Sequence, residues 1–235
     1  MLNIAIDGYV GSGKSTLANE IAKKLNLKML DTGAIYRSIA CEYRSRYDLL
    51  LSADNVEDLV KNMTIEVTFK GREQHVLING KDYFGQIREE EISILTSQIA
   101  PYISVREKVL SVQRAFAKQY DCVMEGRDIG TIVLPKADFK FFLTGSEQTR
   151  AKRRYDQIKD KQTVSFEQIL KDLQARDYND THRKIAPLVP AKDSIIIDTT
   201  NLTLEETVNK CIDIIKTKNT WFFKCFIFHS QSLSR

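Results

Sequence analysis

The chain predicts an α/β fold built on a five-stranded parallel sheet flanked by helices. Three observations carry that expectation. Five short apolar runs, at residues 3–7, 28–30, 121–125, 139–143 and 194–198, are separated by stretches of helical periodicity. Each run opens at its carboxyl end into glycine or polar residues. Between the first run and the first helical stripe lies a glycine-rich turn, Gly8-Tyr9-Val10-Gly11-Ser12-Gly13-Lys14-Ser15. At 235 residues, 43% of them hydrophobic, the chain is long enough for one sizeable core with insertions.

The first run, Asn3-Ile4-Ala5-Ile6-Asp7, has the unbroken apolar character of a strand covered on both faces. From Lys14 onward Leu17, Ile21 and Leu25 recur every fourth residue, the stripe of a helix buried on one side. The brief strand at 28–30 stops at Asp31-Thr32-Gly33, and a helix carrying Ile35, Ile39 and Cys41 follows. Residues 64–83 change character: 64–69 alternate, Gly71-Arg72 turns, 75–78 are strand-like, and Asn79-Gly80 is a hairpin signal. A small antiparallel unit inserted into the alternating core is expected there. Helical pattern resumes through residues 89–118, and Leu204, Val208, Ile212 and Ile215 mark a closing helix. Ligands of such sheets bind at the carboxyl ends of the strands. Asp31, Thr32, the stretch from Glu125 to Asp128, Thr144, Thr199 and Thr200 are therefore expected to line one site.

Bulk properties narrow the function. A formal net charge of +4, from 35 Lys and Arg against 31 Asp and Glu, suits small anionic ligands without demanding nucleic acid. Cys41, Cys122, Cys211 and Cys225 are far apart and form no CxxC pair, so buried reduced thiols are expected. The first strand begins almost at Met1 with no leader-like pattern, and the longest apolar stretch, 221–228, is interrupted by Lys224 and too short to cross a bilayer. A cytoplasmic protein that meets neither membrane nor nucleic acid is expected.

The glycine-rich turn is a complete G-x-x-x-x-G-K-S between a strand and a helix. Successive inward N–H groups and the helix N-terminus make an anion nest there. The expected nucleotide cradle comprises Gly8, Tyr9, Val10, Gly11, Ser12, Gly13, Lys14, Ser15 and Thr16. In it Lys14 reaches the β- and γ-phosphates of ATP, and Ser15 ligates Mg²⁺. A guanine-reading Asn-Lys-x-Asp is absent, because Asn209-Lys210 lies in an apolar helix without the Asp. The Leu-Ser-Gly-Gly signature of transport ATPases is absent too. Arginine is plentiful instead. Arg37, Arg106 and Arg127 are expected near strand ends, and Arg150, Arg153 and Arg154 crowd one helical segment. Arg176, Asp180 and Arg183, spaced i, i+4 and i+7, are expected on one helix face. Bringing two polyanions together and stabilising charge on a transferred phosphoryl needs such a set, and a phosphate acceptor needs no general base.

Three stretches carry a family resemblance: Asp31-Thr32-Gly33-Ala34-Ile35-Tyr36-Arg37, Gly126-Arg127-Asp128-Ile129-Gly130-Thr131 and Ile185-Ala186-Pro187-Leu188. The chain resembles the bacterial cytidylate kinases from Ile4 to about Lys218. The resemblance implies transfer of the γ-phosphoryl of ATP to CMP or dCMP. It also implies a core at about 1–31, 106–145 and 184–218, a monophosphate-binding region at about 32–105 and a short helical lid at about 146–183. Carried over by motif, Arg37 and Arg127 hold the acceptor phosphate. Ser97, Arg106 and Asp128 read cytosine, while Arg176, Asp180 and Arg183 contact sugar and phosphates, and Thr32 lies on the acceptor side. Lys14, Arg127, Arg153, Arg176 and Arg183 form the implied transfer set, with Ser15 and Glu125 toward the metal. The base-reading trio is chemically apt, since cytosine offers an amine donor beside two acceptors. Two positions depart from the family pattern: Glu125 stands where Asp is common, and Tyr9-Val10 replaces small or proline residues. Kinases for UMP, AMP or shikimate, or a regulator that binds nucleotide without transfer, remain alternatives. A monomer is expected. Residues 219–235 resemble nothing in the family. This aromatic tail is read either as a surface that mediates association or as an extension foreign to the fold.

Overall fold

In a computed structural model the protein is described over residues 1–48, 50–159 and 164–218. The aromatic tail at 219–235 lies outside the described residues. The chain runs β1 (Asn3–Gly8), α1 (Lys14–Lys24), β2 (Lys28–Asp31), α2 (Thr32–Tyr47), α3 (Ala53–Lys61), β3 (Ile65–Lys70), β4 (Glu73–Ile78), β5 (Lys81–Asp82) and α4 (Glu90–Ile99). It continues through α5 (Ile103–Gln119), β6 (Cys122–Glu125), a π-helical turn (Ile129–Val133), β7 (Phe139–Thr144), α6 (Glu147–Ile158), α7 (Phe166–His182), β8 (Ile195–Asp198) and α8 (Leu204–Lys218).

The main sheet has the order β2-β6-β1-β7-β8, and every pairing is parallel. All five expected strands are present. In the central strand Ile4, Ala5 and Ile6 are each 0% exposed, because alternate residues serve two different cores. Ile4 and Ile6 pack with Leu17 and Ile21 of α1 and Val208 and Ile212 of α8. Ala5 faces the other way, toward Ile35 and Ile39 of α2 and Val105 and Val109 of α5. Truncating Ile6 to Ala would cost about 2–5 kcal/mol, since neither side can collapse onto the gap.

The inserted sheet is antiparallel, in the order β3-β4-β5. Asn79 and Gly80 both have positive φ, 51° and 79°, the pair of dihedrals a tight hairpin turn demands. The turn is as expected, but β5, only two residues long, carries no pattern of its own. Helix α3 was not legible as an element, although Ser52 caps it through Asn55 N at 3.2 Å, and Val56 and Leu59 are buried beneath it. The helical stretch expected through 89–118 is two helices. Pro101 lacks an amide proton and disfavours helix in its predecessor, so the chain breaks between α4 and α5. Helices α6 and α7 share a small cluster of their own, with Ala151, Ile169 and Leu173 at its centre.

Parallel register puts all five carboxyl ends on one edge: Asp31 pairs with Glu125, Ile6 with Glu125, Gly8 with Leu143 and Thr144 with Asp198. No helix among the described residues is long and apolar enough to cross a membrane.

Candidate active site

The phosphate loop begins where β1 meets β7. Gly8 has φ +146°, and a Cβ there would lie 2.1 Å from Leu143 O, so no side chain fits. Gly13, at φ 91°, turns the chain into α1. Between them the Tyr9 carbonyl faces inward and accepts from Lys14 Nζ at 2.6 Å and Ser12 Oγ at 2.9 Å. Ser12 and Lys14 are buried, whereas Ser15 and Thr16 are exposed at the mouth. Burial, then the charge of Arg127, pulls Lys14 down to about 7; Glu125 and Asp180 oppose that shift.

Ser15 Oγ donates to Glu125 Oε1 at 2.5 Å. Burial first, then the charge of Asp31, pushes the Glu125 carboxyl up, while Lys14 and the Ser15 hydrogen bond hold it down. A hydroxyl and a carboxylate side by side are hard oxygen donors that suit Mg²⁺, an ion that keeps several waters and takes its remaining ligands from phosphates. No cluster of three or more His, Cys, Asp or Glu suited to a metal exists among the described residues.

Across the edge stands a second cationic group. Asp31 caps α2 through Ala34 N at 3.0 Å and holds Arg37 Nη2 at 2.7 Å. Gln74 of β4 clasps the same residue, accepting from Asp31 N at 2.8 Å and donating to Asp31 O at 3.1 Å. The inserted sheet is thereby fastened to the end of β2. Thr32 is buried, its hydroxyl donating to Glu125 O at 2.8 Å. Arg127 Nε donates to Asp180 Oδ2 at 2.7 Å. Arg106 pairs with Asp128, and both side chains are largely buried. Arg176 is exposed and stands within electrostatic reach of Arg127, Arg154, Arg37 and Asp180. Arg183 Nε donates to Ala186 O, and its buried Nη2 has no partner.

Four placements bear on the expected roles. Arg106 is not near a strand end; it sits in the first turn of α5 and reaches the site by its side chain. Arg176, Asp180 and Arg183 share one face of α7: Arg183 caps the helix, with φ −63° and its N–H bonded to Asn179 O at 3.1 Å, and only the chain after it departs, at ψ 140°. Arg153 faces the loop after β8, donating to Thr199 Oγ1 at 2.9 Å and Thr199 O at 2.6 Å, while Arg154 of the same helix is the one near Arg176. Ser97 is exposed on α4, where its hydroxyl donates to Ile94 O at 2.7 Å and makes no hydrogen bond to Arg106 or Asp128.

The site thus has two halves, a nest for one polyphosphate and an arginine set for a second anion. The family profile described as "Cytidylate kinase" matches residues 4–217. The chain belongs to the cytidylate kinase family. It is 42% identical over 215 residues to a cytidylate kinase of Clostridium tetani (strain Massachusetts / E88), covering 91% of this chain and 93% of that one. Against the cytidylate kinase of Caldicellulosiruptor saccharolyticus the identity is 40% over 214 residues, covering 91% and 95%. An uncharacterised protein from Eubacterium ventriosum ATCC 27560 shares the fold at TM-score 0.51 and 13% identity, with 92% and 99% covered.

Three residues of this cytidylate kinase family member were given no individual role from sequence. Asp7 is 5% exposed and accepts from Ile129 N at 2.8 Å and Gly130 N at 2.7 Å, so it pins the π-helical turn just after Asp128. Burial pushes Asp7 up to about 6, against those two hydrogen bonds. Its signal was an acid closing an apolar strand. Arg150 and Asp177 are the other two; they are buried against each other and the phosphate loop.

Proposed function

We propose that the chain transfers the γ-phosphoryl of ATP to CMP, and to dCMP, giving ADP and the nucleoside diphosphate in pyrimidine nucleotide metabolism. One observation carries this reading: Lys14 and the phosphate loop face a separate arginine set across the carboxyl edge of one sheet. The loop N–H groups and Lys14 bind the ATP phosphates, and Ser15 with Glu125 would hold Mg²⁺, which would neutralise charge on the phosphate oxygens. Arg37 and Arg127 take the acceptor phosphate. An oxygen of that phosphate forms the new bond to Pγ as the bond from Pγ to the ADP bridging oxygen breaks. No proton need be removed from the attacking oxygen. Lys14, Arg127, Arg176 and Arg183 stabilise the equatorial charge.

Asp128 accepts from the cytosine amine, and Arg106 donates to its acceptors. Uracil offers an oxygen where Asp128 needs a donor, so UMP is disfavoured. Ser97 and Thr32 complete the acceptor side as α4 and the inserted sheet close on the nucleotide, and Asp180 contacts the sugar. Arg153 is assigned to the donor side, where it props the loop after β8. The segments at about 32–105 and about 146–183 act as acceptor region and lid on the core, in a cytoplasmic monomer. A regulator without transfer would not need the acceptor arginines. A coupled ADP-release assay over CMP, dCMP, UMP, AMP and shikimate tests the reading. CMP or dCMP is expected to be the fastest acceptor, and faster turnover of AMP or shikimate would overturn it.

A further inference from the structure

Arg150 and Asp177 have no part in the roles above, yet they tie together three segments around the phosphate loop. Arg150 Nη1 donates to Asp177 Oδ2 at 2.5 Å and to Val10 O at 2.9 Å, and its Nε donates to Gly145 O at 2.9 Å. Asp177 Oδ1 accepts from Val10 N at 3.3 Å. Both polar groups of the Val10 backbone are thus taken by this one ion pair. The Arg150 guanidinium also lies 5.1 Å from the Tyr9 ring centre, and that ring meets Phe142 edge-on at 5.8 Å. Tyr9-Val10, the place where the loop departs from the family pattern, is where the pair attaches.

The two side chains are 3% and 8% exposed. Burying an ion pair is seldom the most stable choice, since apolar residues of similar volume often stabilise as much or more. A positional role accounts for its presence. Helix α7 takes its apolar anchorage from α6, through Ile169, Leu173 and Ala151. Toward the phosphate loop, the contact of α7 is made by Asp177. On either side of Asp177 in the sequence lie Arg176 and Asp180, and Asp180 holds Arg127.

We propose that Arg150 and Asp177 are positioning residues that fix α7 over the phosphate loop, and with it Arg176 and Asp180 relative to the bound ATP. This rests on the proposed phosphoryl transfer. The pair touches neither nucleotide; it sets the distance between the donor cradle and the acceptor-side charges. Small misplacements of such groups are costly in rate while leaving each nucleotide's own contacts in place.

The test replaces the pair by apolar residues in the full chain, Arg150→Met with Asp177→Leu, beside Asp177→Asn and Arg150→Lys. Thermal melting, kcat with CMP, and CMP binding by calorimetry without ATP are read for each. The double variant is expected to melt within a few degrees of wild type or above it, with kcat lowered at least about tenfold and CMP affinity changed less than about threefold. Arg150→Lys is expected to fail to rescue, because a single ammonium cannot span Asp177, Val10 and Gly145. A folded double variant with wild-type kcat would reduce the pair to packing and overturn the proposal, as would CMP affinity falling in step with kcat. Should the double variant not fold, Asp177→Asn decides by the same readings, since it keeps an oxygen for Val10 N and loses the charge and the second oxygen that accepts from Arg150. Wild-type enzyme assayed alongside separates the two failures. If it turns over a different acceptor, the functional reading is wrong, and the comparison of kcat with binding is made with that acceptor.

Discussion

Replacing Asp128 by Asn changes one atom's chemistry at the heart of the acceptor side. Asp128 is 7% exposed and bonded to Arg106, so the substitution has two separable effects. The first is on stability. A hydrogen bond to a charged acceptor contributes about 1.5–3 kcal/mol and a neutral one about 0.5–1.5, so the loss is about 1–2 kcal/mol. At roughly 2–4 °C per kcal/mol for a domain of this size, Tm should fall by roughly 2–8 °C. The second is on specificity. Asp accepts only, whereas Asn presents an amide able to donate to the uracil oxygen. A base-reading contact discriminates by about 1–3 kcal/mol, which is roughly 5- to 150-fold in the ratio of kcat/KM for CMP over UMP. The ratio is measured by ADP release with each acceptor at matched enzyme concentration, and melting is followed by circular dichroism. A ratio that stays within about twofold of wild type, while both activities fall equally, would remove Asp128 from base reading and leave it a structural partner of Arg106.

Three further outcomes follow from the same geometry. Lys14→Ala should lower kcat by roughly 10²-fold or more while CMP still binds by calorimetry, and loss of CMP binding as well would point to a damaged fold. Binding of ADP at pH 8 should take up protons. Lys14, held down to about 7 by burial and Arg127, is mostly neutral at that pH and regains its proton beside a polyphosphate. Titrations in buffers of different ionisation enthalpy should show this uptake fade by pH 6, where Lys14 is already charged; proton release at pH 8 would contradict the assignment. Truncation after Lys218 removes the aromatic tail, which the family match at 4–217 leaves out, and should keep kcat close to that of the full chain. A truncated chain that is folded yet inactive would show that the tail belongs to the working enzyme.

The five strands were legible because each is an apolar run that stops abruptly at glycine or an acid, and parallel burial requires nothing more. The phosphate loop was legible because its backbone angles admit few sequences. What escaped depends on neighbours that are distant along the chain. Arg150 looks like one of three surface arginines until Asp177 and Val10 are seen around it. Asp7 reads as the last residue of a strand until the amides of Ile129 and Gly130, 122 and 123 residues away, close on it. The spacing of Arg176, Asp180 and Arg183 did give one helix face, but periodicity does not say where a helix ends, and Arg183 is the residue that caps it. The downstream Ala186-Pro187, with Ala186 at φ 50°, was the local signal that α7 would be over by then. Arg153 and Arg154 are adjacent on a helix and so point about 100° apart, and composition cannot choose between them.

The pairing of Arg37 with Asp31, Arg127 with Asp180 and Arg106 with Asp128 makes the arginine side of the site behave as an ion exchanger. A stray phosphate or sulfate gains little there, because each guanidinium already has an anion tethered within reach. To enter, a ligand must displace those internal counter-ions. On the proposed assignment CMP does so because its base engages Asp128 and Arg106 while its phosphate engages Arg37 and Arg127, so several exchanges share one binding event. The chain's acids therefore act as a selectivity filter as much as its arginines act as an attractant. Added salt should weaken CMP binding less steeply than three free arginines would suggest, since part of the screening is already done from inside the protein.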